Sequence, residues 1–192
     1  MFRILWANNK NDYREWLSIW YRWEGKEIFA HPDYLSLYSQ WSEAVCAVYS
    51  SGDRHLLFPF CMREIAQDFS NETYYDIITP YGYGDIYLIG KSDFISLEKE
   101  FNDHFHQWAM TSKVVSGFIR FDLFSRSIDD YKGDVIFNTN NIACDLTKGD
   151  VKLWEEFKPK VRRNIRKAMS CDLKVEIDVD GDRLDSFLGL YY

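Results

Sequence analysis

The stretch "AVCAVYSSGDRHLLFPFCMREI", residues 44 to 65, decides the fold. Two apolar runs flank Ser51-Gly52-Asp53, small turn-forming residues that let a chain reverse, so the stretch predicts an antiparallel hairpin. Pro59 has no N–H to give a ladder, which predicts an edge or a bulge in the second strand. Further on, "YYDIITPYGYGDIYL", residues 74 to 88, reads as a third strand running into a glycine-rich aromatic loop at residues 80 to 84. From residue 92 to 110, Phe94, Leu97, Phe101, Phe105 and Trp108 recur at helical spacing and predict an amphipathic helix. Hairpins alternating with long helices predict a mixed α/β (α+β) sheet flanked by helices rather than a doubly wound parallel sheet.

Outward from that frame, Asn and Asp caps ahead of Trp16, Leu17 and Trp20 predict a first helix. His31-Pro32 is expected to end an extended segment. "VVSGFIRFDLF", residues 114 to 124, reads as a strand, and "DVIFNTNNIACDL", residues 134 to 146, as a hairpin or two short strands. The rest is helical up to about Met169, followed by a strand at 173 to 179 and a helix begun by Asp180-Gly181-Asp182.

Bulk composition narrows the class. A chain of 192 residues can bury a large core, and 46% hydrophobic with 28% charged residues is ordinary for a globular protein. Aromatic content of 18% suits a thick core or a pocket gripping an extended ligand. Cys46, Cys61, Cys144 and Cys171 form no C-x-x-C pair, which argues against a zinc knuckle or disulfide framework and fits a reducing cytoplasm. Neither a signal peptide nor a membrane-spanning run is apparent.

"KPKVRRNIRKAM", residues 158 to 169, concentrates positive charge. It holds Lys158, Lys160, Arg162, Arg163, Arg166 and Lys167 without an acid, in a chain of net charge −7. Wound at about 100° per residue, Trp154, Phe157, Val161, Ile165 and Ala168 share one face. Lys160, Asn164 and Lys167 flank it on one side, Lys158, Arg162 and Arg166 on the other, and Arg163 points away, nearest Lys167. A packed helix with snorkelling cations has this arrangement. Pro159 predicts either a kink or a helix restarting there, since proline suits the first helical position. In the latter case, cations crowd a positive helix start, a conflict that a bound phosphate or carboxylate relieves.

"KVRRNIRKAM" at 160 to 169, "DLKVEID" at 172 to 178 and "FLGLYY" at 187 to 192 resemble a segment of the FemA/FemB-like aminoacyltransferases and their bacterial relatives in the GNAT superfamily. "TPYGYG" at 79 to 84 and "GFIRFDLF" at 117 to 124 resemble two further signatures of that family, in matching order. The resemblance covers roughly residues 75 to 192. It implies two facing GNAT-like modules, with an aminoacyl or acyl group transferred to an amine of a peptidoglycan or polysaccharide precursor in the cytoplasm. Under it, residues 1–146 are a first module and 147–192 the opening of a second. The apolar helix face at Leu184, Phe187, Leu188 and Tyr191 then belongs to a longer protein, and the chain alone is expected to be inactive, with the helix from about Asp182 to Tyr192 either frayed or packed on another copy in self-association. The resemblance implies no bound cofactor, and a donor that is aminoacyl-tRNA or acyl-CoA.

Departures from the family pattern are specific. Asp122 stands where relatives often carry His, and Asp172 where Gly commonly closes the basic helix, which suggests a different helix exit. No Q/R-x-x-G-x-G/A loop for a coenzyme A pyrophosphate occurs.

Amine acylation needs an amine freed of its proton and donors for the oxyanion. Tyr81, Gly82, Tyr83 and Gly84 offer hydroxyls, ring faces and backbone N–H groups at a strand end, or form a turn with two buried tyrosines. Arg120 and Asp122, two apart on one strand, are expected on one face, where they pair with each other or with substrate. Substrate-binding candidates are thus Tyr81, Gly82, Tyr83, Gly84, Arg120, Lys160, Arg163, Asn164 and Lys167, with catalytic residues unassigned. His104 and His106 cannot share a helix face or a metal, and "DVDGD" at 178 to 182 fits a helix cap better than a calcium loop. Two function classes remain open: an N-acyltransferase, and a noncatalytic module binding a glycan or anionic lipid-linked precursor. A pI near 5.1 argues against a broad nucleic-acid surface, while the local basic helix suffices for a tRNA acceptor end.

Overall fold

The structure, a computed structural model, describes residues 1–66, 71–90, 94–124, 131 and 133–192, with residues 94–96 described by backbone alone. The chain divides into two compact units, Met1–Asn138 and Thr139–Tyr192.

The first unit is a six-stranded mixed sheet flanked by helices. Strands β1 (Phe2–Trp6), β2 (Glu43–Ser51), β3 (Arg54–Ile65), β4 (Tyr74–Ile78) and β6 (Val114–Phe118) lie in the order β1-β2-β3-β4-β6, and β5 (Tyr87–Ile89) also pairs with β3. All pairs are antiparallel except β4 with β6. The expected hairpin is β2 and β3, turning at Gly52 with φ of 62°. Pro59 stands at a local edge, one of the two arrangements expected there, with no bulge in the β2–β3 register. On one side β3 pairs with β2 throughout; on the other it pairs with β5 over 55–57 and with β4 over 61–65. Proline therefore sits in the gap where the ladder changes partner, which makes it locally an edge.

Alternation along β2 sorts the core. Ala44, Cys46 and Val48 face helices α1 (Lys10–Arg22) and α2 (Pro32–Ser36), together with Trp16, Ile19 and Leu35. Val45, Ala47 and Tyr49 face the other way, toward Leu97 and Phe101 of α3 (Phe94–Thr111). Asn9 caps α1 as expected, its side chain accepting from the amides of Asn11 and Asp12. Helix α3 follows the predicted apolar spacing; its expected start at residue 92 lies outside the described residues. Its length lets the chain cross from the β4–β5 region to β6, which lies parallel to β4.

Several expectations are corrected. His31-Pro32 opens a helix: the His31 imidazole accepts from the Asp33 amide and Pro32 takes the first position. The strand expected over 114 to 124 ends at Phe118. Neither 134–146 nor 173–179 forms a strand, and Ile142 and Val175 are each 93% exposed. A strand exists only within a ladder, and these alternating stretches pair with no strand among the described residues. Strands β1 and β5 were not foreseen.

The second unit holds α4 (Gly149–Glu156), α5 (Pro159–Met169) and α6 (Leu184–Tyr191). Lys158 is extended at ψ 148° and Pro159 starts α5, so of the two expected arrangements the helix restarts rather than kinks. Asp172 leaves α5 with φ of 49°, the left-handed exit that a glycine would give, so the different exit expected there is overturned. The Asp178 carboxylate accepts from the amides of Asp182 and Arg183, just ahead of α6. No residue of this unit is buried.

Candidate functional site

Where the β4–β6 ladder ends, side-chain and loop bonds extend it. The Thr79 amide donates to the Phe118 carbonyl at 3.1 Å, the Arg120 amide to Thr79 Oγ1 at 2.9 Å, and the Gly84 amide to the Arg120 carbonyl at 2.6 Å. The 79–84 loop is thereby pinned against 118–120. Its glycines are required by close approach: a Cβ on Gly82, already at φ 112°, would lie 2.3 Å from the Phe29 ring, and one on Gly84 would lie 2.4 Å from Thr79 Cβ. The Tyr34 hydroxyl donates to the Tyr81 carbonyl at 2.8 Å, and the Phe29 ring meets those of Tyr34 and Tyr83 edge-on. Burial, followed by a hydrogen bond with Tyr38, pushes the Tyr34 phenol up to about 12, so it stays a donor at neutral pH.

The turn does not bury its tyrosines: Tyr81 is 74% exposed and Tyr83 half-buried. Arg120 lays its guanidinium over the rings of Phe118 and Tyr81, 5.0 and 5.8 Å from their centroids. It forms no ion pair with Asp122 or any other described carboxylate. Past Phe118 the backbone is no longer a strand, and ring stacking sets the direction of the guanidinium. Tyr81, Gly82, Tyr83, Gly84 and Arg120 thus come together as one hydrogen-bonded cationic and aromatic surface.

The segment after β6 also divides two environments. Ile119 and Phe121 line a cavity of about 570 Å³ beside α3, walled by Phe58, Phe101 and Phe105 and edged by Glu98 and His106. Asp122, two residues past Arg120, bears with its charge on Glu27 and Tyr87. Burial, and then the charge of Asp122, raise the Glu27 carboxyl above its usual range. Sequence reading missed Glu27, Tyr87 and the cavity. His106 was seen there only as a surface residue, since spacing along a helix does not reveal a void behind it.

Lys160, Arg163, Asn164 and Lys167 lie on α5, all exposed and with no hydrogen bond or ion pair from their side chains to described residues. On the opposite flank Arg166 packs over Trp154 at 5.3 Å. The described residues hold no group of His, Cys, Asp and Glu able to bind a metal ion. No family model matches the chain, and no curated protein matches it. Among the described residues no helix is long and apolar enough to cross a membrane.

Proposed function

We propose that this chain carries the precursor-binding part of an N-acyltransferase of the FemA/FemB-like type, which moves an aminoacyl or acyl group onto an amine of a peptidoglycan or polysaccharide precursor. One observation carries the reading: Arg120, a guanidinium without a carboxylate partner among the described residues, lies over the exposed Tyr81 ring, in a loop packed closely on Phe29 and Thr79. Guanidinium forks bind phosphate in two-point geometry, and an exposed aromatic face beside one suits a sugar or nucleobase carried on that phosphate. The exposed cations of α5 are a second phosphate-binding element, available to the precursor or to a tRNA acceptor end. The reading goes with a cytoplasmic location, where such precursors and aminoacyl-tRNA are made.

Calorimetric titration of the chain with a nucleotide-linked sugar-peptide precursor tests it, alongside a transfer assay with labelled aminoacyl-tRNA and acyl-CoA as donors. Binding is expected, and Arg120→Ala should weaken it about tenfold or more, the worth of one charge-assisted contact. Because the chain alone is expected to be inactive, binding without transfer leaves the reading standing, whereas transfer from either donor would exclude the noncatalytic binding module. No binding would remove the proposal.

A further inference from the structure

Beside α3 the first unit leaves a space that its core does not fill. Protein interiors are close-packed, with few voids larger than a water molecule, whereas the cavity here holds about 570 Å³. That lies within the roughly 300–1,000 Å³ of small-molecule sites. Its described walls all belong to the first unit and are rich in aromatic rings. Phe101 and Phe105 of α3 lie nearly parallel, at 9° with centroids 5.7 Å apart, and Phe58 of β3 meets them edge-on at 88° and 83°. After β6, Phe121 brings a further pair, meeting Tyr131 edge-on at 5.2 Å. Elements distant in sequence thus line one space with rings.

The buried acids at its edge do not call for a charged ligand. Asp85 and Glu98 are each 5% exposed and already engaged in interactions of their own, and Asp85 Oδ1 also accepts from the Ile86 amide at 2.7 Å. Ring carbon offers water few hydrogen bonds, so an apolar ligand covers these walls better than solvent does. Aliphatic and aromatic ligands gain alike from that burial. Only an aromatic one adds stacked and edge-on ring contacts, worth about two- to tenfold in affinity. We infer that the cavity binds the aromatic part of a small molecule, held against the rings of Phe58, Phe101, Phe105 and Phe121. The site goes beyond the transferase reading and does not depend on it: Ile119 and Phe121 line the cavity, while Arg120 between them lies over Phe118 and Tyr81.

The test is titration of the full chain with naphthol and with decalol, its saturated counterpart of the same skeleton and hydroxyl, followed by calorimetry and ligand-observed NMR. Naphthol should bind about two- to tenfold more tightly than decalol. Ala109→Leu on α3 places bulk in the cavity and should weaken naphthol about tenfold or more at an unchanged or raised melting temperature. Leu37→Ala just after α2, on the opposite face of the sheet, should leave naphthol binding unchanged. Phe121→Leu keeps apolar bulk and removes a ring, so it should lower the preference for naphthol over decalol rather than abolish binding. That ratio is read within one variant and does not depend on a change in stability. Absence of naphthol binding, decalol bound as tightly by the parent chain, or a ratio untouched by Phe121→Leu would overturn the inference. So would an Ala109→Leu chain that melts like the parent and binds naphthol undiminished; should it melt lower, the Phe121→Leu ratio decides alone.

Discussion

Helices α3 and α5 have the same kind of amphipathic spacing and opposite fates. In the first unit α3 lays Leu97 and Phe101 at 4% and 0% exposure against the sheet. In the second unit Val161 of α5 is 41% exposed and no residue at all is buried. The same contrast holds for strands. Val45 of β2, laddered on both sides, is fully buried, while Val175 in an equally alternating stretch is 93% exposed. Periodicity states which side of an element is apolar; whether a layer covers that side depends on partners far away in sequence.

The sharpest way to break this comparison is to truncate an apolar side chain in each unit. Trp16→Ala or Phe101→Ala should cost about 3–5 kcal/mol, because each leaves a cavity in a closed core, and Trp16 also loses its bond to the Ala30 carbonyl at 2.9 Å. Val161→Ala and Leu190→Ala should change stability by no more than about 0.5 kcal/mol. Thermal and denaturant unfolding followed by near-ultraviolet circular dichroism reads both. A Val161→Ala penalty equal to that of Phe101→Ala would mean that the second unit has a core of its own.

Next in size is the loop. Gly82→Ala places a Cβ against the Phe29 ring at a positive φ and should destabilise by more than the roughly 1–2 kcal/mol of the left-handed conformation alone. Gly52→Ala, at φ 62° with open space around it, should cost only that conformational amount. Equal penalties in unfolding titrations would show that the 79–84 loop is free to move off Phe29.

The two flanks of α5 give a third comparison. Arg163→Ala should weaken binding of a phosphate-bearing precursor by about 1.5–3 kcal/mol, and Arg162→Ala by less. Arg163 is exposed, whereas Arg162 is half-buried, on the same flank as the Arg166 that packs over Trp154. Added salt should shrink the difference. If both variants bind like the parent chain, the basic stretch is a solvated rim and nothing more.

What could be read in the sequence follows the range of the interactions involved. The hairpin, α1 and α3 rest on local turn chemistry, caps and spacing, and all three were legible. Strands β1 and β5 were not: three to five residues become a strand only because β2 and β3 lie beside them. The site divides the same way. The loop of Tyr81 to Gly84 and Arg120 were visible as motifs, and the fold brings them together. Glu27 and Tyr87 lie far apart in a sequence with nothing to link them, and only the folded chain brings the charge of Glu27 to bear on the Tyr87 phenol. Arg120 and Asp122 were expected to pair by strand alternation; the strand stops at Phe118 and two aromatic rings take the guanidinium.

The smallest effect, and the one with opposite signs in the two units, is in carboxyl titration. Glu27 in the first unit is raised above its ordinary 4.5 by burial and then by Asp122. Asp145 in the second is lowered below its ordinary 3.8, by the hydroxyl and then the amide of Thr147. A carboxyl that holds its proton more tightly when folded contributes stability below its unfolded pKa and loses it as pH rises through the folded value. Glu27→Gln should therefore melt higher than the parent chain at neutral pH, with the gain shrinking toward acid. Asp145 runs the other way: its contribution is present above its unfolded pKa and fades as pH falls through the folded one. Carbon-detected NMR titration of the two carboxyl groups checks both directions without relying on global unfolding. A Glu27 midpoint at or below 4.5 would mean that its carboxylate already has a partner.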